Sequence, residues 1–229
     1  MIRRDYILRM IAEFMEVLSR LQGLKKGQLW REATGLIDGE FQRLVGAGAE
    51  QVEQLSETEL LARVIRGEPT QVVRDKTLML TALLKEAGDS AAAQGQADKS
   101  RAFYLKGLDL LLGVLAEAGV SDWPGFAPQV AMFTSVLGDA ALPLPTLAGL
   151  MRHYECGGEF AKAEDALFAM LEAEPQPEGL LEFGTAFYER LRGQADAALA
   201  AGNLPRAELE AGLAELRRSL KATESERIA

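Results

Sequence analysis

Apolar side chains recur at steps of three and four residues along most of this chain, which is the spacing of one face of an α-helix. The first such stretch contains Ile7, Ile11, Phe14, Leu18 and Leu21. Ala, Leu, Glu, Gln, Lys and Arg dominate the composition, and these residues lose little side-chain freedom in a helix. The pattern therefore predicts an all-α protein of nine or ten helices without a strand.

A turn glycine followed about five residues later by a small residue occurs four times between apolar helical stretches. Two antiparallel helices approach closely only where the side chains at their crossing are short. The recurrence therefore predicts an array of antiparallel helix pairs. We also expect Gly88, Tyr104, Gly107 and Tyr154 to pack at these contacts. The glycine and small-residue combinations are Gly27 with Ala33, Gly95 with Ser100, Gly158 with Ala163, and Gly202 with Ala207.

Glycine, proline and capping residues mark the ends of the predicted helices. Ser56 and Glu59 have the spacing of a capping box at one helix start. Residues 1–220 are predicted to form one domain, and residues 221–229 lack apolar periodicity and are expected to fray or be disordered. After the first helix, the main predicted helices cover residues 28–45, 57–66, 71–94, 98–118, 179–201 and 204–220.

These segments resemble tetratricopeptide repeats, which are helix–turn–helix units of about 34 residues. The small residues Ala33, Ser100, Ala163 and Ala207 are not separated by multiples of 34, so the resemblance implies an α-solenoid with irregular repeats. The whole chain also resembles an uncharacterised bacterial family of unknown function. The positions that match the repeat motif are Gly88, Gly95, Ser100, Tyr104 and Gly107; Leu150, Tyr154, Gly158, Phe160, Ala163 and Pro175; and Gly202, Ala207 and Ala214.

The resemblance implies a non-enzymatic module that binds a protein partner. In such arrays the first helices of successive pairs line a concave groove that holds a peptide or a partner helix. Helical phase selects six charged candidates for this groove, and a basic or mixed-charge partner would complement the acidic chain. An ordinary solvated face is the alternative interpretation of the same residues: Lys85, Asp89, Arg152, Glu155, Arg192 and Asp196.

The apolar stripe of the first helix has three possible partners. It can be buried against the next helix of the same chain. It can pair between two subunits, because two to three heptads suffice for a short self-association seam; the protein would then be a self-associating structural or regulatory homodimer. It can also lie on a membrane surface, with Arg3, Arg4 and Arg9 facing lipid headgroups.

The charge distribution disfavours nucleic acid as a partner. The net charge is −9, although residues 1–31 contain seven Lys and Arg against three Asp and Glu. An acidic surface repels phosphate backbones. The single cysteine, Cys156, allows no internal disulfide. The sequence has neither a signal-peptide core nor an uncharged apolar stretch of roughly 18 residues, so a cytoplasmic protein without membrane spans is expected.

The residue inventory does not favour an enzyme. His153 is the only histidine, and Cys156 follows it by three residues. Two ligands do not complete a zinc site, and no third group to orient a cysteine–histidine couple can be identified. Phosphate-binding and dinucleotide-binding glycine motifs are missing. We therefore expect no cofactor and no metal, while a pair of acidic catalytic residues separated in sequence stays open.

Overall fold

The computed structural model describes residues 2–67, 70–117, 123–138, 141–174 and 178–228. Over these ranges the chain forms twelve α-helices and no strand, which confirms the all-α prediction. Helices are more numerous than the nine or ten expected from the sequence. The arrangement of the helices as a solenoid of repeats stays a prediction.

The helices belong to two compact units, which we call unit 1 and unit 2. A division into two compact units does not decide between one domain and two, and the single domain over residues 1–220 stays a prediction. Unit 1 contains α1 (Ile2–Lys26), α2 (Trp30–Val45), α3 (Ala49–Gln54), α4 (Glu57–Ile65), α5 (Thr70–Ala93), α6 (Ala97–Glu117) and α7 (Val130–Leu137). Unit 2 contains α8 (Leu144–Cys156), α9 (Phe160–Ala173), α10 (Glu178–Arg192), α11 (Asp196–Ala201) and α12 (Arg206–Ile228).

Helix α5 is the central helix of unit 1. It packs along α6 and also contacts α1, α2 and α4. Its middle turns are apolar almost all round, as expected for a helix that is covered on several sides. Leu78, Leu80, Leu83 and Leu84 are fully buried. Helices α4 and α6 pack against this centre. The capping box of Ser56 and Glu59 is present at the start of α4, as predicted.

Two glycines allow the helices of unit 1 to approach each other. A Cβ atom added at Gly88 of α5 would lie 2.8 Å from Cε2 of the Tyr104 ring on α6. One added at Gly107 of α6 would lie 2.5 Å from Cε1 of Phe133 on α7. Both distances are shorter than packed carbon atoms tolerate. These rings therefore fill the space that the missing side chains leave. Gly95 has a different role, because its φ of +73° belongs to the turn between α5 and α6.

Unit 2 uses the same device at positions that the sequence analysis partly missed. A Cβ at Gly184 of α10 would lie 2.7 Å from Cδ1 of Leu216 on α12. Gly212 of α12 lies against the ring of Tyr188 on α10. Ala207, the predicted small contact residue of this pair, is instead exposed. Gly212 takes that role five residues later, because the helix phase turns Ala207 towards solvent.

The helix predicted over residues 179–201 is two helices, which corrects the sequence analysis. Helix α10 ends at Arg192, and Ala195 is extended with ψ of 146° before α11 begins. The guanidinium of Arg206 donates to the carbonyl oxygens of Arg192 and Gln194, at 2.8 and 2.6 Å. It therefore binds backbone acceptors that a broken helix leaves without an intrahelical partner. Such a distant cap has no local sequence signal.

Two further segments differ from expectation. Helix α3 was not predicted; its first backbone N–H, that of Ala49, donates to Oδ1 of Asp38 on α2 at 2.7 Å. The predicted tail from residue 221 continues α12 through Ile228. Ala, Glu, Lys and Arg have high helix propensity, and extending an existing helix avoids the cost of nucleation.

The two glycines of α6 supply a matched test of this packing. We expect Gly107→Ala to lower the free energy of unfolding by about 1–3 kcal/mol, because its methyl group would collide with Phe133. Gly113→Ala is the control, since the space around Gly113 is open, and it should raise stability by roughly 0.5–1 kcal/mol through helix propensity. Urea unfolding measures both. Equal effects of the two substitutions would contradict the close approach of α6 and α7.

Candidate functional site

Two of the predicted groove residues, Lys85 and Asp89, belong to a half-buried ionic cluster on α5. Nζ of Lys85 lies 2.9 Å from Oδ2 of Asp89 and 3.2 Å from Oε1 of Glu86. Lys25, in the last turn of α1, contacts Oε2 of Glu86 at 2.8 Å and also pairs with Asp89. Tyr104 donates its hydroxyl hydrogen to Asp89. We call these five residues the α5 cluster.

The hydrogen bonds within the α5 cluster favour a charged carboxylate at Asp89 and a protonated hydroxyl at Tyr104. Burial alone would raise the pKa of Asp89, but hydrogen bonds from Lys25, Lys85 and Tyr104 outweigh burial, and the pKa is lowered. Burial and the bond to Asp89 raise the pKa of Tyr104, so its hydroxyl stays protonated. Two lysines balance two carboxylates. The cluster therefore fastens α1 and α6 to α5 and leaves Asp89 little capacity to bind a partner.

A second polar group next to this cluster was missed by the sequence analysis. Oγ1 of Thr34 on α2 lies 3.1 Å from Oγ of Ser90 on α5. Nε2 of Gln94 donates to Oγ1 of Thr34 at 3.2 Å and to the carbonyl oxygen of Ser90 at 2.9 Å. These bonds join α2 to α5. Their partners are 56 and 60 residues apart, so no local pattern indicates them.

The other four groove candidates lie in unit 2, where Glu155, Arg192 and Asp196 each form an ion pair with another residue of the same unit. Oε1 and Oε2 of Glu155 accept from Arg190, both at 2.8 Å. Arg192 binds Glu189 at 3.2 Å and Glu210 at 3.0 Å. The fourth, Arg152, is exposed on α8. Asp196 pairs with Arg206 at 2.7 Å. The six candidates are thus divided between the two units, and the groove that would join them stays a prediction.

Helix α1 divides its apolar residues between a buried and an exposed side. Phe14 and Leu21 are fully buried within unit 1, and the Phe14 ring meets that of Phe126 edge to face at 5.7 Å. These two residues therefore cannot form a self-association seam, which corrects that part of the prediction. Ile7, Ile11 and Leu18 are half-buried. The large exposed apolar side chains of this helix are Tyr6, Leu8 and Met15.

His153 and Cys156 lie in the last turns of α8. His153 is half-buried, and burial lowers its pKa; its ring centroid is 5.4 Å from that of Tyr154. Cys156 is exposed with a free thiol. Among the residues that the structure describes, no three potential metal ligands of the types His, Cys, Asp or Glu are grouped to hold an ion.

Unit 2 also holds a buried tyrosine paired with a carboxyl group. The Tyr188 side chain is fully buried, and its hydroxyl donates to Glu164 of α9. Burial raises the pKa of Glu164 more than the hydrogen bond lowers it, and burial also raises the pKa of Tyr188. The pair therefore satisfies a buried hydroxyl beside Gly212 and links α9 to α10.

Two clefts open on unit 1; the first is lined by the successive helices α5, α6 and α7, and the second by α1, α2 and α5. The first, which we call the apolar cleft, has a volume of about 320 Å³ and is lined by Ala92, Gly95, Ala97, Ser100, Arg101, Tyr104, Val136 and Leu137. The second, the cationic cleft, has a volume of about 370 Å³ and is lined by Tyr6, Arg9, Met10, Glu13, Arg43, Leu44 and Lys76.

The chain belongs to a family of unknown function (DUF6483), whose model matches residues 1–221. No curated protein and no solved structure matches it. Every helix within the described ranges is too short or too polar to cross a lipid bilayer. The family assignment agrees with the resemblance to an uncharacterised family, while the tetratricopeptide resemblance stays a prediction. It leaves the activity to be inferred from the clefts and surfaces of the molecule.

The lowered pKa of Asp89 predicts a pH-dependent stability. Its carboxylate stabilises the fold above the unfolded-state pKa of about 3.9, and this contribution is lost as the pH falls through the lower folded-state pKa. We expect Asp89→Asn to lower the free energy of unfolding by about 1–3 kcal/mol at pH 7, with a smaller difference near pH 3. Urea unfolding at both pH values measures this.

The exposed Glu16 of α1 provides the control for Asp89. Glu16→Gln removes the same formal charge from a solvated position, and we expect an effect within about 0.5 kcal/mol at both pH values. If the Asp89→Asn deficit is the same at pH 3 as at pH 7, the ionic role of Asp89 in the α5 cluster is wrong.

Proposed function

We propose that this protein is a non-enzymatic interaction module of the bacterial cytoplasm, built as a tetratricopeptide-like array of helix pairs, and that it binds a peptide or partner helix. The binding surface that we propose is the apolar cleft of unit 1, with the charged groove candidates in a secondary role. The α5 cluster supports this choice, because Lys85 and Asp89 already bind partners within their own chain.

The observation that carries the proposal is the exposed apolar surface beside the cleft. Val136 lines the cleft and is 53% exposed, and Met132, one turn earlier on α7, is 45% exposed. Apolar surface that borders a cleft commonly marks a binding site, whereas isolated apolar residues need no explanation. Helix α7 packs on α6 through Phe133 and Leu137, so Val136 and Met132 are free to contact a partner.

The cleft also indicates what kind of group would enter it. Its volume of about 320 Å³ falls at the lower end of the range for ligand pockets, about 300–1,000 Å³. Its walls are small or apolar side chains, with Arg101 and the Tyr104 ring as the larger polar members. We therefore expect one large apolar side chain of a mixed-charge peptide to occupy it.

A peptide selection on the full chain tests this function. Random peptides displayed on phage should yield an enriched sequence with an aliphatic or aromatic anchor, and Val136→Asp should weaken its binding at least tenfold, because a carboxylate would replace apolar contact. Fluorescence anisotropy with the synthetic peptide measures the affinity. Ile65→Asp is the matched control, since Ile65 is 51% exposed on α4. Enriched peptides that bind both variants equally would disprove the assignment.

Self-association through α1 is the second candidate, and a separate observation favours it. Leu8 and Met15 are 56% and 45% exposed and lie seven residues apart on one side of the helix. Ala12 and Ser19 adjoin them with short side chains, which would let a second copy of α1 approach closely. The partly buried Ile11 and Leu18 widen the seam. This second candidate is a homodimer built on the exposed side of α1.

Light scattering of the full chain distinguishes this candidate. If α1 pairs between subunits, Leu8→Glu combined with Met15→Glu should convert a dimer to a monomer, because four carboxylates would meet in one seam. Circular dichroism should show unchanged helix content, as both positions are exposed. A wild-type chain that is monomeric at the highest working concentration would eliminate the homodimer, and Ile65→Glu serves as the control for a general change in solubility.

A further inference from the structure

The cationic cleft gathers positive side chains from three helices in a protein that is acidic as a whole. Arg9 comes from α1, Arg43 from α2 and Lys76 from α5. The net charge of the chain is −9, so this concentration of cations is a local exception. We propose that the cationic cleft binds the oxyanion group, a phosphate ester or a carboxylate, of a small organic molecule.

Arg43 is held in a fixed orientation by a carboxylate behind it. Its Nε and Nη2 atoms lie 2.8 and 2.7 Å from Oε2 of Glu40, a residue outside the cleft lining. The remaining Nη1 reaches Oε2 of Glu13 at 3.4 Å, which is longer than a good charge-assisted hydrogen bond of about 2.7–2.9 Å. Glu40 thus orients the guanidinium, while the contact with Glu13 leaves its outer edge weakly bound.

Glu13 occupies the position at which a ligand oxyanion would bind Arg43. Its side chain is 57% exposed, and an exposed ion pair of this kind contributes only about 0–1 kcal/mol. A ligand with better geometry can therefore displace it at small cost. The guanidinium donates to carboxylate and phosphate oxygens in the same geometry. The contact with Glu13 therefore shows the kind of acceptor that Nη1 of Arg43 can bind.

Arg9 adds a cation that has no competing partner. It lies one turn before Glu13 on α1, and it forms no hydrogen bond or ion pair with another residue that the structure describes. Lys76 also lines the cleft. Arg9 is exposed at the edge of the cleft. An arriving anion could therefore bind its guanidinium without displacing another described side chain.

The rest of the lining indicates that the ligand also has an apolar part. Met10 and Leu44 are buried apolar side chains that line the cleft, and the ring of Tyr6 is exposed beside them. A volume of about 370 Å³ exceeds what an inorganic anion needs. An aromatic or aliphatic group attached to the oxyanion would cover the Tyr6 ring, which is 46% exposed, and remove its apolar surface from water.

Phenyl phosphate, benzoate and inorganic phosphate are suitable probes, titrated into the full chain by calorimetry. We expect saturable one-to-one binding of phenyl phosphate that is tighter than that of inorganic phosphate. Arg9→Gln should weaken it about tenfold through loss of a charge-assisted contact. Glu13→Gln should tighten it about threefold, because the competing carboxylate is gone. Arg20→Gln is the matched control, since it removes an exposed arginine of α1 outside the cleft.

The titrations distinguish a phosphate ester from a carboxylate ligand, and they also show whether the proposed site is absent. Preference for phenyl phosphate identifies a phosphate ester, and preference for benzoate identifies a carboxylate; both support the site. If no probe binds saturably up to about 10 mM, equivalent to an affinity weaker than about −3 kcal/mol, the site does not exist. Binding that Arg9→Gln and Arg20→Gln reduce equally is nonspecific attraction to α1, and it also overturns the proposal. The peptide selection for the apolar cleft is unaffected by either result.

Discussion

The fold of unit 1 depends on the close approach of helices at positions that lack a side chain. Gly88 and Gly107 face the rings of Tyr104 and Phe133, and neither site has room for a methyl group. Each glycine costs roughly 0.5–1 kcal/mol of helix stability relative to alanine, so the ring contacts must offset this cost. The close packing of α5 and α6 also places the Tyr104 hydroxyl beside Asp89, the residue that follows Gly88 on α5.

This packing explains why charged residues on α5 act inside the fold. Because α6 approaches α5 so closely, Tyr104 is buried, and its hydroxyl needs a hydrogen-bond acceptor. Asp89 supplies it, and Lys25 and Lys85 then balance the carboxylate. Removing one member would leave buried polar groups unsatisfied, at a cost of about 1–3 kcal/mol. The charged residues Lys25, Lys85 and Asp89 therefore stabilise the packing of α1, α5 and α6.

Helix type could be predicted from the sequence, and contacts between distant segments could not. Periodicity indicated the α5 and α6 helices to within about one residue at most ends, since their apolar faces are long. It missed the break after Arg192, because Arg206 supplies its cap from the next helix. It also placed Lys85 and Asp89 on a solvated groove, since helical phase gives the direction of a side chain and no information about its partner. The cationic cleft required three separate helices to meet, which no local pattern encodes.

The two units differ in how many of the charged and exposed side chains considered for binding already have partners within their own unit. In unit 2, Glu155, Arg192 and Asp196 form ion pairs with residues of the same unit, so a partner would first have to break these contacts. In unit 1, the exposed Val136 borders a cleft and Arg9 has no partner among the described residues. Neither contributes much to the core, because exposed positions change stability by only about 0.5 kcal/mol. Unit 1 is therefore the part of the chain in which we propose that partners bind, whereas the paired charges of unit 2 are explained by packing within that unit.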